Sequence, residues 1–319
     1  MGSIASDEEW DRAWEQSPSA PAYAGRAWAE VWADAFPGRF RPTPTRLSWP
    51  DGTTVIVPVT IEHRLGGALQ IARLGPAGTY SAVLDGLPPT ATADRRGPAI
   101  EWLLGRYRDV ILTLDPFGPG AQIPVGVTLK GITMAVRLGD HVDDLRGTWS
   151  GGRKNDLARG RKAGLVVEGS TKATDWDAYY DCYVDSVRRW GDQTRVEYPK
   201  ALFDALARAP DRLLRLWVAR KDGAVVGGAI IVYDRSRAYY WHAASRQEGL
   251  QVGSATTVLY EAIRDATDRG LRYIDLGASG GMSGVSEFKA GFRPAELETT
   301  TLILQSPISG LIRRLKHRM

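Results

Sequence analysis

Apolar runs of strand length, bounded by turn residues, occupy 214–220, 224–233 and 238–244, and the turn signal Lys221-Asp222-Gly223 joins the first two into a hairpin. The period then changes. Ala255, Val258, Leu259, Ala262, Ile263 and Ala266 fall on one face of a helix, with Ser254 placed as its N-cap and Gly270 as its stop. A short apolar strand over 271–276, a glycine-rich loop, a helix over 285–290 and a strand over 298–304 complete this half. The N-terminal half repeats the succession. Strands over 43–49 and 53–62 flank Pro50-Asp51-Gly52, and Gly66-Gly67 turns into a strand over 68–73. A helix over 94–107 and a strand over 110–114 follow. A helix precedes each half, over 27–35 and 176–189. The repeat of topology predicts two similar α/β domains with mixed sheets, 1–147 joined by 306–319, and 148–305. The segment after Pro307 is expected to return to the first domain.

With 319 residues, 43% apolar and 24% charged, the composition is that of a globular protein of two ordinary domains. No apolar run approaches the roughly 20 residues that span a bilayer, and Ser6-Asp7-Glu8-Glu9 is unlike a secretory signal, so the expected location is the cytoplasm. The single Cys182 excludes an intrachain disulfide framework, and four histidines give a zinc cluster little to draw on. The net charge of +4 is unevenly spread. Arg153, Lys154, Arg159, Arg161 and Lys162 against Asp156 give a local excess of four, and Arg313, Arg314, Lys316 and Arg318 add four more with no acid after Glu298. Such blocks either meet a polyanion or form solvated helix faces.

Three stretches carry a resemblance to a known family. Tyr273-Ile274-Asp275-Leu276-Gly277, followed by a loop and Phe288-Lys289-Ala290-Gly291-Phe292, resembles the Fem-type peptidyltransferases, relatives of the two-domain GCN5-related N-acyltransferases (GNAT). The stretch 153–167 is similar to the opening of their second domain, and Leu112-Thr113-Leu114-Asp115-Pro116 to a strand-end Asp-Pro of the first. The resemblance implies a fold of two tandem GNAT-like domains, the first on the acceptor side and the second on the donor side. It implies amide-bond formation from aminoacyl-tRNA to a small amine, a peptide or a peptidoglycan precursor, by a monomer with no metal and no cofactor. The long helical-hairpin arm of some members has no counterpart, because no sustained heptads occur.

Aminolysis of an activated ester needs stabilisation of a tetrahedral oxyanion and movement of protons. Lys289, in the family's Phe-Lys pattern, is the first candidate for the oxyanion or a phosphate, against a surface lysine on a short helix. Phe288 would stack on the terminal adenine or pack the core. Asp115 would hold or deprotonate the acceptor amine, or form a turn before Pro116. His242 would transfer a proton if its pKa is near neutral, or be a core histidine bonded to a neighbour. Arg189 and Tyr198 match the places of acceptor-phosphate ligands, and Arg153, Lys154, Arg161 and Lys162 would guide tRNA. Enzymes using coenzyme A commonly carry Arg/Gln-x-x-Gly-x-Gly/Ala before the crossover helix, where amides hold a pyrophosphate. Here Arg246 and Gly249 match, but Gln251 stands at the last position. An acyl-CoA or acyl-carrier enzyme is the alternative reading, and a non-catalytic polyanion-binding protein a second one.

Overall fold

The computed structural model describes residues 2–86, 95–118, 127–191 and 197–307. Two compact units are formed, one from Met1–Gly131 with Glu298–Met319, the other from Ile132–Leu297. The first holds β1 (Gly2–Ile4), α1 (Asp7–Gln16), α2 (Arg26–Ala35), β2 (Phe40–Pro42), β3 (Thr45–Ser48), β4 (Thr54–Val57), β5 (Val59–Arg64), β6 (Leu69–Leu74), β7 (Tyr80–Ser81), α3 (Arg96–Arg106) and β8 (Val110–Leu114). After β9 (Val127–Arg137), the second holds α4 (Val142–Thr148), α5 (Gly151–Lys162), β10 (Val166–Ser170), α6 (Ala173–Trp190), α7 (Lys200–Ala207), β11 (Leu214–Lys221), β12 (Ala224–Tyr233), β13 (Arg237–Ser245), α8 (Gln247–Gln251), α9 (Ser254–Asp268), β14 (Tyr273–Gly277) and α10 (Ser283–Ala290). β15 (Ala295–Leu304) closes the described chain.

The strand order is β2-β5-β6-β8-β15 in the first unit and β11-β12-β13-β14-β9, extended by β10, in the second. In each, an antiparallel pair is followed by a crossover helix to a parallel strand, which then pairs antiparallel with a last strand. The last strands are exchanged: β9 follows β8 in sequence but pairs with β14, while β15 follows β14 but pairs with β8. Each unit has its own apolar core, one around Val258, Ile263, Ile274 and Phe292, the other around Val57, Leu74, Leu103 and Leu112.

The expected match of 43–49 with 214–220 does not hold. β3 joins β1 and β4 in a separate small sheet, and β2 takes the place beside β5 that β11 takes beside β12. The predicted strand over 53–62 is two strands, broken at Pro58, which has no N–H to give to a ladder. Residues 6–9, read only as acidic, open α1 with a capping box: Glu9 N donates to Ser6 Oγ at 3.2 Å and Ser6 N to Glu9 Oε2 at 2.8 Å. The cap of α9 is Gly253, not Ser254; its φ of +79° is left-handed, and Ser254 is the first helical residue. The segment after Pro307, with Arg313, Arg314, Lys316 and Arg318, lies outside the described residues. No described helix is long and apolar enough to cross a membrane.

Candidate functional site

The parallel pair β13–β14 stays in register only from Arg237↔Tyr273 to Tyr239↔Asp275. Beyond it the ladder between β12 and β13 slips, Ile230 facing His242 while Ile231 faces Tyr240, so that Trp241 is an extra residue. A bulge of this kind bends the strand that carries it. The strands part, and a cavity of about 730 Å³ opens between residues 240–245 on one side and Met282, Val285, Phe288 and Lys289 on the other. That size suits a small-molecule or cofactor site.

Six of the ten side chains singled out in the sequence line this cavity: Arg153, Arg189, Tyr198, His242, Phe288 and Lys289. Lys154, Arg161 and Lys162 do not line it; they are exposed on α5. Lys154 Nζ donates to the Gly147 carbonyl at 2.6 Å, and the Arg161 guanidinium lies 5.4 Å from the Tyr260 ring centre. Asp115 belongs to the first unit, at the end of β8. Its Oδ1 accepts from Phe117 N at 3.2 Å, the turn expected before Pro116, and it lines a cavity of only about 50 Å³ with Ser81, Asp85 and Arg96.

Lys289 is not a surface lysine. It is 6% exposed, and its ammonium donates to the carbonyls of Gly277 at 3.0 Å and Ala278 at 2.8 Å. An ammonium has three donors. Burial lowers the Lys289 pKa to about 8 against the pull of the Asp275 charge. Asp275 holds the preceding peptide, accepting from Gly277 N at 2.8 Å, and accepts from Thr133 Oγ1 of β9 at 2.6 Å. The conspicuous residues of the Tyr-Ile-Asp-Leu-Gly and Phe-Lys stretches therefore fix one loop at the mouth of the parted strands.

His242 does not have a near-neutral pKa. Packed among the rings of Tyr183, Tyr198, Phe203 and Trp241, it is pushed down by burial to about 4, and its Nδ1 is 2.6 Å from the Tyr179 hydroxyl. It is neutral at physiological pH. Burial also raises the phenols of Tyr183 and Tyr198, so both stay protonated, and Tyr183 Oη accepts from Tyr198 N at 2.7 Å. Arg189 donates to Ser186 Oγ at 2.9 Å and to the Ser245 carbonyl, which pins it to the cavity wall. Arg153 stacks over Phe288 at 4.9 Å, and the Phe288 and Phe292 rings lie 5.2 Å apart at 66°.

Residues that the sequence reading passed over complete the site. α5 packs on the start of α9 so closely that a Cβ on Gly253 would lie 2.4 Å from the Asp156 carbonyl, and one on Gly160 2.4 Å from Thr257 Oγ1. The Asp156 carboxylate is thereby brought to the first turn of α9, where its Oδ2 accepts from Thr256 Oγ1 at 3.2 Å and pairs with Arg153 at 3.1 Å. The segment Gln247–Gln251, which a pyrophosphate loop would need open, is instead the short helix α8. Leu250 N donates to the Arg246 carbonyl and Gly253 N to that of Leu250, each at 3.1 Å. An acid inside the basic block was the available signal for Asp156, and an acid inside an apolar strand the signal for Asp275. No group of His, Cys, Asp and Glu suited to a metal occurs among the described residues.

A family profile described as an acetyltransferase (GNAT) domain matches residues 150–290. No curated protein matches the sequence significantly. Among solved structures, FemX has a TM-score of 0.70 at 13% identity, over 98% of this chain and 99% of FemX. The C-terminal (DUF2156) domain assigned to a lysylphosphatidylglycerol synthetase from Agrobacterium fabrum gives 0.59 at 13% identity, over 97% of this chain and 96% of that domain. A tandem GNAT protein from the clavulanic acid biosynthesis pathway gives 0.50 at 11% identity, over 96% and 99%. At such identities the likeness is one of fold.

Proposed function

From a chain with the Fem-like tandem GNAT fold, we propose an aminoacyltransferase that moves an aminoacyl group from aminoacyl-tRNA to an amine within the second-unit cavity. One observation carries the choice of donor. A coenzyme's pyrophosphate needs free amides at the positive end of the crossover helix. Here α8 consumes amides of its own, and the Asp156 carboxylate stands at the first turn of α9. That carboxylate is itself held by Arg153 and Arg159 and takes the Thr256 hydroxyl there. On this reading the acyl chemistry of the fold is kept, and the loop that would hold a coenzyme's pyrophosphate is taken up in α8.

In the reaction the amine nitrogen bonds to the ester carbonyl carbon, the carbonyl oxygen takes up negative charge, and the C–O bond to the terminal ribose breaks. The amine's proton leaves with the departing oxygen or to solvent. Lys289 keeps two N–H groups on the Gly277 and Ala278 carbonyls and has one more for the oxyanion or the terminal phosphate. Tyr183, Tyr198 and Trp241 give an apolar wall for the acyl side chain. His242, with a conjugate acid near 4, is too weak a base to take the proton of an ammonium and acts as a neutral hydrogen-bonding group.

The test is incubation with separately charged aminoacyl-tRNAs, acetyl-CoA and a panel of amines and peptides, read by mass spectrometry. A new amide carrying the tRNA-borne residue is the expected product. Turnover with acetyl-CoA alone would overturn the choice of donor.

A further inference from the structure

A second cavity, of about 940 Å³, lies in the first unit between β2, the start of β6, the end of α3 and the start of β8. Arg41, Arg106 and Arg108 line it and are exposed, and none of the three has an ion-pair or hydrogen-bond partner among the described residues. They come from two regions of the unit, β2 and the end of α3, yet all three line the same cavity with Tyr107. The rings of Trp102 and Tyr107 stand edge to face at 6.4 Å beside them, with Arg106 5.6 Å from the Tyr107 ring centre. Ile61 and Leu69 add apolar lining. Among the described residues lining the cavity the one carboxylate, Asp109, is buried, and its Oδ1 accepts from Ser306 N at 3.0 Å.

Ordinary helix physics accounts for part of this. Cations belong at the negative end of α3, which explains Arg106 and Arg108. It does not explain Arg41, which lines the same cavity from a strand. The only ionisable side chains in the segment beyond Pro307 are basic, so it supplies no acidic side chain as counter-ion. The cavity is also at the wrong end of the sheet to be a copy of the second-unit site. It touches the N-terminal ends of β6 and β8, whereas β13 and β14 part toward their C-terminal ends.

Guanidinium groups without an ion-pair partner among the described residues, in one cavity with flat rings, match a ligand with the same two parts. Guanidinium forks bind phosphate oxygens, and an aromatic ring stacks on a planar base. We propose that this cavity is a second binding site, for a small phosphorylated molecule that carries a planar ring, of nucleoside diphosphate size. The site is independent of the transfer reaction and of the identity of its donor.

Calorimetric titration with ADP, adenosine and inorganic pyrophosphate tests it on the full chain. ADP is expected to bind, and adenosine and pyrophosphate to bind at least tenfold more weakly, because each offers one part only. The double variant Arg41→Gln/Arg106→Gln should lose at least tenfold in ADP affinity with at most a small drop in melting temperature, since both side chains are exposed and neither has an ion-pair or hydrogen-bond partner among the described residues. Lys289→Ala, in the other cavity, should bind ADP as the wild type does. Absence of binding at millimolar ADP, unchanged affinity in the double variant, or loss of binding in Lys289→Ala overturns the proposal. So does single-stranded RNA that binds more tightly than ADP and displaces it, which would mark a nucleic-acid surface instead.

Discussion

Lys289 gathers more consequences than any other side chain of the second-unit cavity. Its ammonium is a structural clamp on the Gly277–Ala278 carbonyls and, in the proposed reaction, a source of positive charge for the oxyanion. Lys289→Ala is expected to lower turnover at least tenfold, since one charge-assisted contact at a transition state is worth about 2–4 kcal/mol. Because the clamp is buried, that variant should also melt lower, unlike the loss of a surface lysine. The pH dependence separates the two effects. The folded pKa is about 8, below the ordinary lysine value, so the cation is present below about pH 8 and lost above it. Turnover should fall as pH rises through 8, and in Lys289→Arg, which stays charged, that limb should disappear. A pH–rate profile of the two proteins decides this. The sign for stability is opposite: between about 8 and the ordinary lysine range the unfolded chain holds a proton that the folded chain has released, so folding gains with pH there.

At the scale of elements, the contact between α5 and α9 decides the site. It depends on residues without side chains. Gly253 has a left-handed φ of +79°, and its missing Cβ leaves room for the Asp156 carbonyl at 2.4 Å, a backbone atom that cannot swing away. Gly253→Ala should destabilise the protein by about 2–4 kcal/mol, from strain at positive φ together with overpacking. Gly270, with a φ of +70° and nothing within 4 Å of a new Cβ, is the matched control. Gly270→Ala should cost only about 1 kcal/mol. Denaturant midpoints of the two variants give the comparison; equal losses would remove the packing argument. The bulge at Trp241 is the second such element: it lies just beyond the end of the parallel ladder, where the cavity begins.

For the whole molecule, the charge map bears on the proposed donor. Arg153 is committed to Phe288, Thr256 and Asp156 in the cavity wall, so the part of the basic block that faces solvent is Lys154, Arg159, Arg161 and Lys162. Affinity for charged tRNA should fall steeply with salt, the logarithmic slope growing by roughly 0.7–0.9 for each phosphate contacted. Replacing Lys154, Arg161 and Lys162 with Gln should flatten that slope and raise the apparent KM for charged tRNA, with little change for an aminoacylated adenosine that lacks the stem. Filter binding over a salt series measures it, and a slope untouched by the three substitutions would make these side chains a solvated helix face.

The sequence by itself determined the elements that local rules govern. Strands β8 and β12 have the bounds that their apolar runs predict, and α9 has its stop at Gly270, because strand length, helical period and turn chemistry are written within a few neighbouring residues. Phe288, Lys289, Arg153, Arg189, Tyr198 and His242 were legible as candidates from a resemblance, without their geometry. Only the tertiary structure decided what depends on distant partners. The pKa values of His242 and Lys289 follow from what surrounds them, not from their type. The exchange of β9 and β15 follows from which ladder each completes. Asp156 reaches α9 only because Gly160 and Gly253 let two helices touch, and pairing across 100 residues of sequence leaves no local period to read.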